Sequence, residues 1–151
     1  MLNKQAVYDW LLLAMEEKEA ALALAWSALM ESNQQEGKSS SGDKHETGRA
    51  MVHLELEQLN KQRQECQRQK EEILQYAPTR VNLSQEVRAG SWVITNVGLY
   101  YMITGWGKVN LQGKEVLIIG MGSPVGKALI GKRVGEEFGW GIIKGKIAAI
   151  E

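Results

Sequence analysis

The stretch Gly42-Asp43-Lys44-His45-Glu46-Thr47 decides how the first half of this chain folds. It lies between two long segments of helical composition and marks where the chain turns back on itself. Asp43 followed three residues later by Glu46, ahead of an apolar periodic run, is a capping-box-like pattern. In it Asp43 accepts from the Glu46 amide while Glu46 reaches back. No apolar residue separates the two carboxylates, so they are also candidates for presentation to a partner. The readings are compatible, because a cap that starts a helix also fixes the carboxylates.

Upstream, Lys4 to about Asn33 lacks Gly and Pro and is rich in Ala, Leu, Glu and Met, which favour helix. Steps of three and four select Tyr8, Leu11, Met15, Lys18, Leu22, Ala25 and Leu29 as a heptad-like seam. Ser32 to Ser41 loses the pattern and reads as a polar turn. Downstream, Val52, Leu56, Leu59, Arg63, Cys66, Lys70 and Ile73 form a second seam, and the helix ends before Pro78. Leu29 with Val52, Met15 with Cys66 and Tyr8 with Ile73 share one positional sum, as an antiparallel hairpin requires. This register sets Lys18 against Arg63, two like charges, and puts the tip within 37–48. Lys38, Lys44, His45 and Arg49 surround the acidic pair, and a lone His45 there makes neither a metal site nor a catalyst. On shape alone, a dimerisation coiled coil or a rigid spacer accounts for such an arm equally well.

The chain has 151 residues, enough for one ordinary domain or two small ones. Its 18 basic and 18 acidic residues cancel, so no global field draws it to nucleic acid or an acidic membrane. A single cysteine, Cys66, excludes an internal disulfide and fits a reducing compartment. The uncharged run Ala20 to Met30 falls well short of the roughly 20 residues a membrane helix needs. With no signal-peptide pattern, a cytoplasmic protein with no membrane partner is expected, and a monomer.

Thirteen of the 16 glycines follow Arg88. That shift predicts two domains: a helical hairpin over 1–77, a linker over 78–88, and a sheet domain over 89–151. Ser91 to Val97 and Leu99 to Thr104 read as a strand pair about Gly98, and Glu115 to Ile119 as a β-branched strand. Ser123-Pro124 is a strong helix start, with serine as N-cap and proline at the first helical position. It predicts a short helix from Val125 to Ile130, closed by Gly131. Phe138 to Ile143 and Lys146 to Ile150 complete the strands. The fold class is α+β, a two-helix antiparallel coiled coil followed by a small antiparallel sheet carrying one short helix.

Two glycine motifs are decoys. Gly120-Met121-Gly122 before a helix looks like the start of a dinucleotide fold, but the 25 residues after Gly126 leave no room for a second βα unit. Gly126-Lys127-Ala128 lacks the hydroxyl that a phosphate-binding loop places on magnesium. Trp92, Trp106, Trp140, Tyr100, Tyr101 and Phe138 read as sheet core rather than as a base-stacking platform. No nucleophile–histidine arrangement is present, since both histidines, His45 and His53, belong to the helical arm.

Taken together, the two halves resemble the Gre-type transcript cleavage and elongation factors of bacterial RNA polymerase. The family's tip motif is Gly-Asp-x-x-Glu-Asn, against Gly42-Asp43-Lys44-His45-Glu46-Thr47 here. Its second signature, a strand followed by Ser-Pro, a small helix and a Gly-Lys-x-Val-Gly turn, is matched from Ile118 to Gly135. The resemblance implies an FKBP-like C-terminal domain that docks near the polymerase secondary channel, with Ser123 and Pro124 at the docking rim. It implies an arm that enters the channel and brings Asp43 and Glu46 to the active site. There the pair would share a magnesium ion of the polymerase and promote cleavage of backtracked RNA. The protein would be no enzyme by itself and would hold no cofactor of its own. Thr47 in place of Asn, Gly122 in place of a polar residue, and Gly48-Arg49 depart from the pattern. They touch the cleavage expectation more than docking and leave a channel regulator without cleavage activity as an alternative. An FKBP-like prolyl isomerase and a purely structural coiled coil are the other readings.

Overall fold

The structure is a computed structural model that describes residues 1–38, 42–78 and 85–151, with backbone alone at 35–38 and 42–46. Two helices come first, α1 (Lys4–Lys38) and α2 (Gly42–Gln75). The strands β1 (Trp92–Thr95), β2 (Leu99–Met102), β3 (Gly107–Leu111) and β4 (Lys114–Ile119) follow. They are succeeded by helix α3 (Pro124–Leu129) and strands β5 (Glu137–Trp140) and β6 (Ile143–Ile150). The chain divides into two compact units, Leu13–Lys70 and Met1–Leu12 with Glu71–Glu151.

The first unit is the arm, an antiparallel pair formed by α1 and α2. Asn3 Oδ1 accepts from the Ala6 amide and starts α1. The helix passes through Ser32 and Gly37 to Lys38, so 32–38 of the expected polar turn are helical, and 39–41 lie outside the described residues. Serine, asparagine and glutamine are only mildly unfavourable in a helix, and one glycine costs about 1 kcal/mol, so a cooperative helix runs through them.

The seam also differs from expectation in α1. Met15 and Cys66 meet, with the thiol 3.4 Å from the thioether sulfur and both residues buried. Beyond Met15 the inward positions are Glu19, Leu22, Trp26 and Leu29, while Lys18 and Ala25 are exposed. Steps of 4, 3, 4 and 3 follow 3.6 residues per turn as well as the expected steps of 3, 4, 3 and 4 do. The choice removes the like-charge encounter. Lys70 Nζ pairs with Glu19 at 3.1 Å, the Arg63 guanidinium lies 4.9 Å from the Trp26 ring centre, and Lys18 Nζ donates to buried Gln69 at 3.1 Å.

The second unit is a six-stranded sheet in the order β3-β4-β2-β1-β6-β5. Every pair is antiparallel except β2 with β4, where Leu99–Met102 runs parallel to Val116–Ile119. The β1–β2 connection is closed by Thr95, whose hydroxyl donates to Gly98 O at 2.8 Å and accepts from the Val97 and Gly98 amides. Strand β3 had no sequence expectation. Its partner turn is Gln112-Gly113, both at positive φ (54° and 77°), a two-residue hairpin turn without the usual Asn or Asp before glycine. At the other edge, Trp140 pairs with Ile143, so the last turn comes at Gly141-Ile142, earlier than expected.

One face of the sheet buries Val93, Tyr100, Met102, Ile119, Phe138 and Ile147 against Val125 and Leu129 of α3 and against Val87. Val87 exchanges backbone hydrogen bonds with Lys132 and Gly131 at 2.8 Å, so 86–88, the end of the expected linker, belongs to this unit. The opposite face carries Trp92, Tyr101, Val116 and Ile118, all buried. There the ends of the long helices contribute Val7, Tyr8, Leu11 and Ile73 to the buried set. Trp10 meets Trp106 edge to face at 6.3 Å, and Thr104 Oγ1 donates to Glu72 at 3.0 Å. The aromatic residues expected as core therefore split between two faces.

Candidate functional site

Two stretches carry the expected chemistry, and each belongs to a different unit. At the end of the arm, α2 starts at Gly42, so Asp43 and Glu46 have helical backbone in its opening turns. Their side chains, and with them the capping contacts, lie outside the described residues, as do the side chains of Lys38, Lys44 and His45. Positions three apart are neighbours on a helix surface.

The described residues next to this end are Asn33 on α1 and Arg49, Ala50 and His53 on α2, which line a cavity of about 310 Å³. Arg49 and His53 are one turn apart on the same helix. Asn33 Oδ1 is buried there without a hydrogen-bond partner among the described residues. Arg49 is among the charges that the sequence places around the acidic pair, whereas Asn33, a polar residue at the end of a seam, carries no sequence signal of what it faces. Among the described residues no group of three or more His, Cys, Asp or Glu side chains gathers as a metal site. Among them, too, no helix is long and apolar enough to cross a membrane.

The second stretch is the β4–α3 turn. Ser123 is the N-cap of α3 with extended backbone (φ −70°, ψ 158°), and Pro124 occupies the first helical turn. The hydroxyl is used twice within the turn, accepting from the Gly126 amide at 3.1 Å and donating to Gly120 O at 2.8 Å. Gly126 is required by the same closure, since a Cβ there would sit 2.3 Å from Gly120 O. Ser123 therefore shapes the turn, and the surface it presents is the exposed Pro124 ring and Met121, 45% exposed. Met121 was not singled out in the sequence. Its exposure follows from the turn closing beneath it.

Elsewhere burial sets the electrostatics. Desolvation pushes the Tyr101 phenol far above its ordinary range, with Tyr8 and Asp9 adding to the shift. Tyr101 Oη has no hydrogen-bond partner among the described residues. Desolvation likewise raises the Cys66 thiol, against the opposing charge of Lys18, which makes Cys66 an inert seam residue. Tyr100 and Phe138, read from the sequence as sheet core, pack edge to face at 5.8 Å within it.

No protein-family model matches the chain, and no curated protein matches it. Among solved structures it is similar to the GreA factor homolog 1 (Gfh1) of Thermus thermophilus, with 15% identity and a TM-score of 0.35 over 93% of this chain and 94% of that one. It is similar to a structure described as the transcription factor Gfh1, with 20% identity and a TM-score of 0.37 over 95% and 92%. The third is Gfh1 of Thermus aquaticus, with 19% identity and a TM-score of 0.34 over 95% and 92%.

Proposed function

We propose that this chain is a Gre-type factor that binds RNA polymerase. In this reading the sheet unit docks at the rim of the secondary channel through the Ser123-Pro124 turn, and the arm enters the channel with Asp43 and Glu46 leading. The observation that carries it is the start of α2 at Gly42, which puts both carboxylates in the opening turns of a helix at the end of the arm. Two carboxylates at adjacent helix positions are hard oxygen donors of the kind magnesium takes. The polymerase's magnesium supplies Lewis-acid stabilisation of the charge developing on the scissile phosphate. Asp43 and Glu46 contribute oxygen donors beside it and orient the attacking water.

The polymerase cuts its backtracked RNA, while this chain has no catalysis and no cofactor of its own and acts as a cytoplasmic monomer. Thr47, which stands where the family pattern has Asn, favours a second reading: a factor that occupies the channel and regulates without promoting cleavage. Binding to purified core polymerase tests the shared part of both readings. A Pro124→Asp, Met121→Asp variant, with unchanged melting temperature, is expected to bind at least tenfold more weakly. Binding equal to wild type would remove the turn from the docking surface.

A further inference from the structure

Net neutrality conceals a local concentration of charge in the sheet unit. Lys127 of α3, Lys132 just after it, and Lys144 and Lys146 of β6 line one cleft of about 800 Å³. Phe138, Gly139 and Gly145 also line it. Among the described residues none of these four ammonium groups has a carboxylate within ion-pairing distance, and Glu137 is the acidic residue in the lining. The cleft is built into the fold. Gly145 is required by the packing beneath it, because a Cβ there would meet the Val97 side chain and the Phe138 ring at 2.6–2.9 Å. Asn96, also in the lining, fixes the β6 backbone by accepting from the Lys146 amide at 2.7 Å.

We propose that this cleft binds the phosphate backbone of a single-stranded nucleic acid, without reading its sequence. The residue types decide between partners. Protein interfaces are depleted in lysine and centre on exposed aromatic and apolar anchors. Here lysines dominate and Phe138 is buried. Carboxylate recognition favours the arginine fork, and no arginine is in the lining. Lysine ammonium groups are point charges that satisfy phosphate oxygens in many geometries. A concave basic groove tracks a flexible single strand, whereas a duplex is a stiff rod. The aromatic ring of the lining, Phe138, is buried and the amide of the lining, Asn96, holds the Lys146 backbone, so binding is electrostatic and independent of sequence. The inference does not rest on polymerase binding, because it concerns the isolated chain.

The test is fluorescence anisotropy of a labelled oligouridylate titrated with the full-length chain over a range of salt concentrations. Four phosphate contacts predict that log K falls against log salt with a slope of about −3. Each single Lys→Gln change at 127, 132, 144 or 146 is expected to reduce that slope by about 0.7. The quadruple variant is expected to lose binding at low salt, and Lys114→Gln, at the far edge of the sheet, to leave it unchanged. The single variants keep the test decisive if the quadruple one melts early. The proposal is overturned if wild type does not bind at low salt or if the single variants keep the wild-type slope. It is also overturned if duplex DNA binds more tightly than the single strand, or if polyglutamate competes as well as RNA.

Discussion

Lys70 Nζ lies 3.1 Å from both carboxylate oxygens of Glu19 across the two helices of the arm. This pair marks the register, because Glu19 takes the inward position that the sequence assigned to Lys18. Both side chains are partly exposed, at 30% and 45%, so the coupling is small. A double-mutant cycle on Glu19→Ala and Lys70→Ala is expected to give about 0.5 kcal/mol, fading in high salt. A coupling of the same size between Lys18 and Arg63 would instead favour the register expected from sequence.

The same register makes adjacent α1 positions unequal. Ala25 is exposed and Trp26 is partly buried under Arg63. Ala25→Glu is expected to change stability by less than about 0.5 kcal/mol. Met15→Ala, which empties a fully buried position against Cys66, should cost about 2–4 kcal/mol. Urea denaturation followed by circular dichroism measures both.

The β4–α3 turn gives a graded pair. Ser123→Ala removes the cap and should cost about 1 kcal/mol. Gly126→Ala drives a methyl into the Gly120 carbonyl and should cost about 3 kcal/mol. Thermal unfolding of the sheet unit, read by near-ultraviolet dichroism, ranks them. Equal losses would mean that the turn relaxes.

Tyr101 predicts an alkaline limit. Its folded pKa is raised, chiefly by burial, so its contribution to stability is complete below the ordinary tyrosine range and is lost as pH rises above it. Above about pH 10 the unfolded chain releases a proton that the folded chain retains, and stability declines. Tyr101→Phe should flatten that decline. It should also add about 1 kcal/mol at neutral pH, since it removes a buried hydroxyl without a partner. A variant less stable than wild type would indicate a bound water or other partner at Oη.

Much of this architecture was legible in the sequence because its signals are local. Helix composition and the glycine shift separate the arm from the sheet, and Ser123-Pro124 gives the N-cap of α3 directly. What was missed depends on tertiary context. In α1, Lys18 and Glu19 are both polar, and only the partner helix decides which turns inward, through Lys70. Strand β3 is half exposed, weakly patterned and turned by Gln112-Gly113. The parallel pairing of β2 with β4 is a property of chain crossing that no local pattern encodes. At the candidate sites, Asp43, Glu46, Ser123 and Pro124 could be picked by motif. Met121, Asn33 and the lysine cleft could not, because turn closure and the meeting of distant elements create them.

The central claim is that Asp43 and Glu46 are carboxylates lent to a polymerase. The most direct measurement is RNA cleavage by a stalled, backtracked polymerase with magnesium, comparing wild type with Asp43→Ala, Glu46→Ala at equal polymerase occupancy and equal helix content. The account predicts that wild type accelerates cleavage and that the double variant loses the acceleration by at least 100-fold, about 2.7 kcal/mol of transition-state stabilisation. Equal acceleration by both proteins, or none by wild type bound to the polymerase, would contradict it.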